Sequence, residues 1–178
     1  MSAGVVVAFL PLAAGVAGDV AAAGLFVQAV TSTISRWLAG RHGDRHGHAR
    51  LLIPGLVIAS AGMTVMIWVA SPAAVVVGMC LFGSGFGICQ NVTFALMIDR
   101  VAESGYGMAS ALWNLAYDAG YGAGPVALGV LVVHTGYPAV FALAAALMLT
   151  ALWPAWRDRS ASGSGPAPVL SCQWDKAG

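Results

Sequence analysis

Gly40-Arg41-His42-Gly43-Asp44-Arg45-His46-Gly47-His48-Ala49-Arg50 separates two long apolar runs, one ending near Ala39 and the next opening at Leu51. Its glycines permit a sharp turn, Asp44 can sit at a helix N-terminus, and its arginines can pair with carboxylates or phospholipid headgroups. The surroundings decide what such a turn connects. The 178 residues are 59% hydrophobic and only 8% charged, against roughly 25% charged in a soluble domain. A soluble fold of this size needs a charged exterior, whereas a bilayer solvates the apolar outside of a helix bundle. The net charge is +1, and no basic stripe with interleaved aromatics suggests nucleic-acid binding.

Apolar runs of spanning length lie near 20–39, 51–70, 73–97, 107–133 and 137–156. They predict an all-α membrane protein, a bundle of five complete transmembrane helices. The opening run, 3–18, is equally apolar but contains Pro11. It covers about 24 Å of a core about 30 Å thick, so it reads as a short or truncated sixth span. Residues 1–156 thus form the bundle, and 157–178, rich in Ser, Gly, Pro and Ala, form a disordered tail. Cys80, Cys89 and Cys172 show no C-x-x-C spacing and read as free thiols.

The loop with Arg41, Arg45 and Arg50, the loop with Arg100, and the tail with Arg157, Arg159 and Lys176 all fall on one side. The opposite connections, around Asp19, Ala70-Ser71-Pro72 and His134-Thr135-Gly136-Tyr137-Pro138, contain no Lys or Arg. The positive-inside rule then places both the N-terminus and the tail in the cytoplasm, with the plasma membrane as the expected location.

The charged turn resembles the loop signature of the major facilitator superfamily, G-x-x-x-D-R-x-G followed by basic residues. Gly40, Asp44, Arg45 and Gly47 stand at the matching positions, while His48 and Ala49 occupy the usual basic pair and Arg50 comes one step later. Such a loop latches one conformation. Asp99 and Arg100, closing the fourth span, lie within plausible reach of Arg45 and Arg50 for a switchable ion pair. The N-terminal half of these transporters commonly has an Arg where this chain has Met79. The resemblance therefore implies a C-terminal half, lacking the N-terminal six-helix bundle.

In the fourth span, Gly83 and Gly87 make a small-x-x-x-small face for close helix packing, continued by Asn91 and bordered by Gln90. The fifth span holds Asp118 roughly 18–20 Å from its cytoplasmic end, near the bilayer midplane. A carboxyl at that depth is expensive and faces the bundle interior or a wet cavity, which suits proton coupling or cation binding. Asn114, Asp118 and Tyr121 share one face by i, i+4, i+7 spacing, with Tyr117 adjacent. That face, with Gln90 and Asn91, is the expected substrate and proton pathway; a structural Asp held by a neighbouring helix is the alternative. Gly120, Gly124, Pro125 and Gly129 resemble the family's glycine-proline pattern for bending a span beside the cavity.

In the second span, Gln28, Thr31, Ser32 and Ser35 recur at helical spacing. They line the same pathway or join helices by hydrogen bonds. The third and sixth spans are the least polar and should face lipid. His42, His46 and His48 lack the spacing of a closed zinc site, so no metal is expected. There is no Gly-rich phosphate loop with its Lys, which excludes an ATP-driven pump subunit with its own nucleotide site, and no cofactor is expected. Asp118 is the only acid well inside a span, and the pattern gives no paired acids or Ser/His pair for an enzyme.

The resemblance implies a secondary active transporter of a small solute, working by alternating access and coupled to protons. Its partners would be the lipid bilayer, the small-molecule solute, and an N-terminal half or a second copy. The competing reading is a small non-transporting membrane protein or half-carrier that acts by assembling with another membrane polypeptide.

Overall fold

The computed structural model describes residues 2–12 and 18–150. The expected disordered tail, the end of the sixth span and part of the opening run lie outside the described residues. Every regular element among the described residues is helical: α1 (Ser2–Phe9), α2 (Gly18–His46), α3 (Ala49–Val65), α4 (Pro72–Ile98) and α5 (Tyr106–Thr150). Single 3-10 turns, Met66–Trp68 and Glu103–Gly105, follow α3 and precede α5. The chain is an all-α membrane protein. Ala49–Trp68, Pro72–Ile98 and Glu103–Thr150 are each long and apolar enough to cross a bilayer. α2 is long enough as well, but Gln28, Thr31, Ser32, Thr33, Ser35 and Arg36 dilute its apolar run.

Helix ends follow local chemistry. α2 does not stop with its apolar run near Ala39; it continues through most of the charged stretch to His46. There Gly47 takes φ +87°, and its N–H donates to the Gly43 carbonyl at 2.8 Å. This is a left-handed helix cap of the kind only glycine enters without penalty. The turn before α3 is thus Gly47-His48 alone. Ser71, extended at φ −95° and ψ 120°, precedes Pro72 at the first position of α4, where a missing N–H costs nothing. In α5, Gly136 (φ 76°, ψ 170°) breaks the helix into two runs, 106–135 and 137–150. The break falls within the connection expected between the fifth and sixth spans.

α4 is the centre, with its largest interfaces against α2 and α3. Two glycine faces make this possible. Toward α3, a Cβ on Gly85 would collide with the Ala59 N and lie 2.8 Å from the Ala59 Cα. One on Gly62 of α3 would lie 2.7 Å from the Gly78 carbonyl oxygen. Toward α2, a Cβ on Gly83 would collide with Thr31 Oγ1 and come within 2.6 Å of the Gln28 carbonyl oxygen. One on Gly87 would collide with Ser32 O and Ser35 Oγ. Close backbone approach of this kind replaces the hydrophobic driving force that a bilayer does not provide between helices.

Hydroxyls in these helices bond back to their own turns, as Thr31 to the Val27 carbonyl at 2.8 Å and Ser60 to the Leu56 carbonyl at 2.8 Å. Such bonds let hydroxyl residues lie in an apolar medium with no partner from another helix. The short α1 docks on α5, with Val5, Val6 and Leu10 buried, and Gly4 abuts the Tyr121 carbonyl. The outside remains apolar: Phe26, Val126 and Val133 are 71%, 76% and 82% exposed, as a lipid-facing surface requires.

Candidate functional site

A cleft of about 420 Å³ opens between α2, α4 and α5. α4 contributes Gln90, Asn91 and Phe94, and α5 contributes Ser110, Trp113, Asn114, Tyr117 and Asp118. The α5 residues converge by the 3.6-residue period: Ser110, Asn114 and Asp118 succeed one another at i, i+4, i+8, with Trp113 and Tyr117 beside them. Asp118 lies twelve residues into α5, about 18 Å along it at 1.5 Å per residue. The Asn114 amide donates to the Ser110 carbonyl at 2.9 Å, leaving its own carbonyl end for the cleft. The Tyr117 ring lies beside Gln90 and within electrostatic reach of Arg36 and Asp118.

Arg36 of α2 is the cleft residue that sequence reasoning passed over. Its guanidinium lines the cleft and donates to Gln90 Oε1. The available signal was a cation inside the run 20–39, a rare residue within an apolar span. Asn91 also lines the cleft, and its Oδ1 is buried with no hydrogen-bond partner. An orphaned buried acceptor of this kind costs about 1–3 kcal/mol.

The other expected pathway residues lie elsewhere. Tyr121 follows Tyr117 at 6.0 Å between ring centroids and packs against the core rather than lining the cleft. Gln28, Thr31 and Ser35 sit on the α2 face that meets Gly83 and Gly87. Ser35 donates to the Ser32 carbonyl of its own helix at 3.2 Å, and this polar face lies against α4. Gly124 is buried, and Pro125 lies inside α5, with its ring 3.1 Å from the position a Cβ would take on Gly4. Gly120, one turn earlier on the same helix, is half-buried.

At the end of the bundle holding Gly47, Asp44 faces His48 Nε2 at 3.7 Å. His48 covers Gly43 closely. Gly40 lies against Asn91, 3.4 Å from its amide nitrogen to a notional Cβ, so the charged stretch abuts the cleft through this residue. Arg41 sits over the Trp37 ring at 5.5 Å, and His42 stacks on His46 at 4.4 Å. Arg45, Arg50, Asp99 and Arg100 are exposed, with the Asp99 N–H capping α4 on the Ala95 carbonyl at 2.9 Å. Among the described residues no three His, Cys, Asp or Glu side chains cluster as a metal site.

A helical membrane bundle with a polar cleft among glycine-packed helices is consistent with a membrane transporter. The family model of the Major Facilitator Superfamily matches residues 1–169, and the chain belongs to that family. It is 31% identical over 115 residues to an uncharacterised MFS-type transporter of Salmonella typhimurium, across 64% of this chain and 29% of that protein. It is also 31% identical over 122 residues to the tetracenomycin C resistance and export protein of Streptomyces glaucescens, across 67% of this chain and 22% of that protein. The matched stretch thus spans less than a third of either relative. No solved structure matches. The chain is a multi-pass membrane protein of a transporter family.

Proposed function

We propose that this chain forms the C-terminal half of a proton-coupled secondary transporter of a small solute, set in the plasma membrane with both ends in the cytoplasm. One observation carries the reading: Arg36, Gln90, Asn91, Asn114 and Asp118 converge on a single cleft in an otherwise apolar bundle. Charged groups so placed are expensive in a bilayer and serve a translocation path. Asp118 is the proton carrier in this reading, because it is the one carboxyl of the cleft. The named activity of one relative, resistance and export, favours efflux as the direction.

The exposure of Asn114 and Asp118, flanked on α5 by exposed Leu112 and Leu115, supports a second reading. Here the cleft takes its opposite wall from another polypeptide, an N-terminal half or a second copy, and this chain works as a half-carrier. Proton-driven flux of a solute panel, measured in vesicles containing this chain alone and with Asp118→Asn, tells whether the chain carries solute by itself or needs that second wall. Flux lost in the variant supports a working carrier with Asp118 in its coupling path. Absence of flux from well-inserted chain, restored by a co-expressed partner half, supports the half-carrier. Flux unchanged by Asp118→Asn sinks the coupling role.

A further inference from the structure

Trp113 and Tyr117, one turn apart on α5, stack at 5.5 Å between centroids and 9° between planes. Phe94 of α4 meets Trp113 edge-on at 5.4 Å and 73°, and Phe86 of α4 lies 6.2 Å from Tyr117. The Trp113 indole N–H points to Thr93 Oγ1 at 3.4 Å. α4 and α5 have only a small interface otherwise, so these rings act as struts between them. Space remains on both sides of the struts. One side is the polar cleft; the other is a second, apolar cleft of about 280 Å³ that includes Phe86, Cys89 and Ala116. Gln90, Trp113 and Tyr117 belong to both.

Arg36 supplies the second observation. Of the five N–H donors of a guanidinium, one meets Gln90, and among the described residues Arg36 has no carboxylate within salt-bridge distance. Asp118 lines the same cleft but lies beyond that distance, so the rest of the exposed Arg36 fork stays open toward the cleft, and a planar carboxylate is the partner that fork fits best.

We propose that the two clefts form one bipartite site for a flat aromatic carboxylate. The carboxylate sits at Arg36 and the ring lies along Trp113 and Tyr117 into the apolar cleft. Offset or edge-on contact with these rings favours an aromatic solute over an aliphatic one of equal charge. The Arg36 fork favours an anion over a neutral alcohol with the same ring. This rests on the transporter reading for the solute's passage, but binding is measurable without passage.

The test is equilibrium binding of radiolabelled 2-naphthoate to the full chain in lipid nanodiscs, competed by decanoate and by 2-naphthylmethanol. The expected result is binding at least about 10-fold tighter for 2-naphthoate than for either competitor. Trp113→Leu should weaken it about 10-fold, with Trp113→Phe recovering most of the loss. Arg36→Gln should abolish the preference over the alcohol, and Trp68→Leu, on the exposed turn after α3, should change nothing. Decanoate binding as tightly as 2-naphthoate would assign the clefts to a lipid-like acyl anion and overturn the proposal. So would unaltered binding in Trp113→Leu. Naphthoate binding without flux supports this site and counts against transport by the chain alone. Flux of other solutes with no naphthoate binding overturns this site and leaves transport standing.

Discussion

Alanine at Gly83 or Gly87 should push α2 away from α4. A Cβ on Gly83 would sit 2.6 Å from the Gln28 carbonyl oxygen and 3.0 Å from the Gln28 Cα, and one on Gly87 would sit 2.9 Å from the Ser32 Cα. Relaxed carbon contacts lie at about 3.5–4.0 Å, so the helices must part by roughly 0.5–1 Å, which forfeits a quarter to a half of each dispersion well. An interface of on the order of 40 atom pairs at ~0.1–0.2 kcal/mol each would lose about 1–4 kcal/mol. The helix propensity of alanine returns about 0.5–1 kcal/mol, leaving a net loss of about 0–3.5 kcal/mol, a span that contains the usual range for overpacking. Gly122, with nothing within 4 Å of a notional Cβ, is the control: Gly122→Ala gains the propensity and meets no clash. Unfolding by sodium dodecyl sulfate in lipid bicelles, followed by far-UV circular dichroism, gives the comparison. Gly83→Ala and Gly87→Ala unfolding at the same midpoint as Gly122→Ala would refute the packing argument.

Three further outcomes follow from other parts of the molecule. Asn91→Leu removes the buried, unpartnered Oδ1 and should stabilise the bundle by about 1 kcal/mol in the same assay while lowering solute flux; a loss of stability would mean that oxygen is satisfied. Gly47→Ala forces a Cβ onto φ +87° and should cost about 1–2 kcal/mol, read as a lower unfolding midpoint, whereas Gly18→Ala, with open space around it, should not. With Cys80, Cys89 and Cys172 replaced by alanine, a cysteine at His134 should react with an impermeant maleimide in intact cells. A cysteine at Arg45 should react only after permeabilisation; the reverse pattern would invert the proposed orientation.

Much of the architecture was legible without coordinates. Low charge and repeated apolar runs require a bilayer as solvent, and in a bilayer the backbone must bond within its own helices. The cleft residues of α5, Asn114, Tyr117 and Asp118, were readable because they belong to one helix, whose period fixes which side chains share a face. Gln90 and Asn91 were readable for the same reason, as a polar end to a small-residue face.

What lay beyond the sequence was rotation and partnership between helices. Hydrophobicity cannot separate a lipid-facing leucine from a packed one, because lipid and core are equally apolar. The second glycine face of α4 against Ala59 and Gly62, and the use of Gln28, Thr31 and Ser35 for contact with α4, therefore emerge only from packing. Arg36 is the clearest case: in the sequence it is a lone cation within an apolar run, and only the placement of α2 against α4 sets it on Gln90 in the cleft that Asp118 also lines. Periodicity within a chain segment is local and survives in the sequence, but which faces meet is settled by the summed contacts of several helices, and that sum exists only in the tertiary structure.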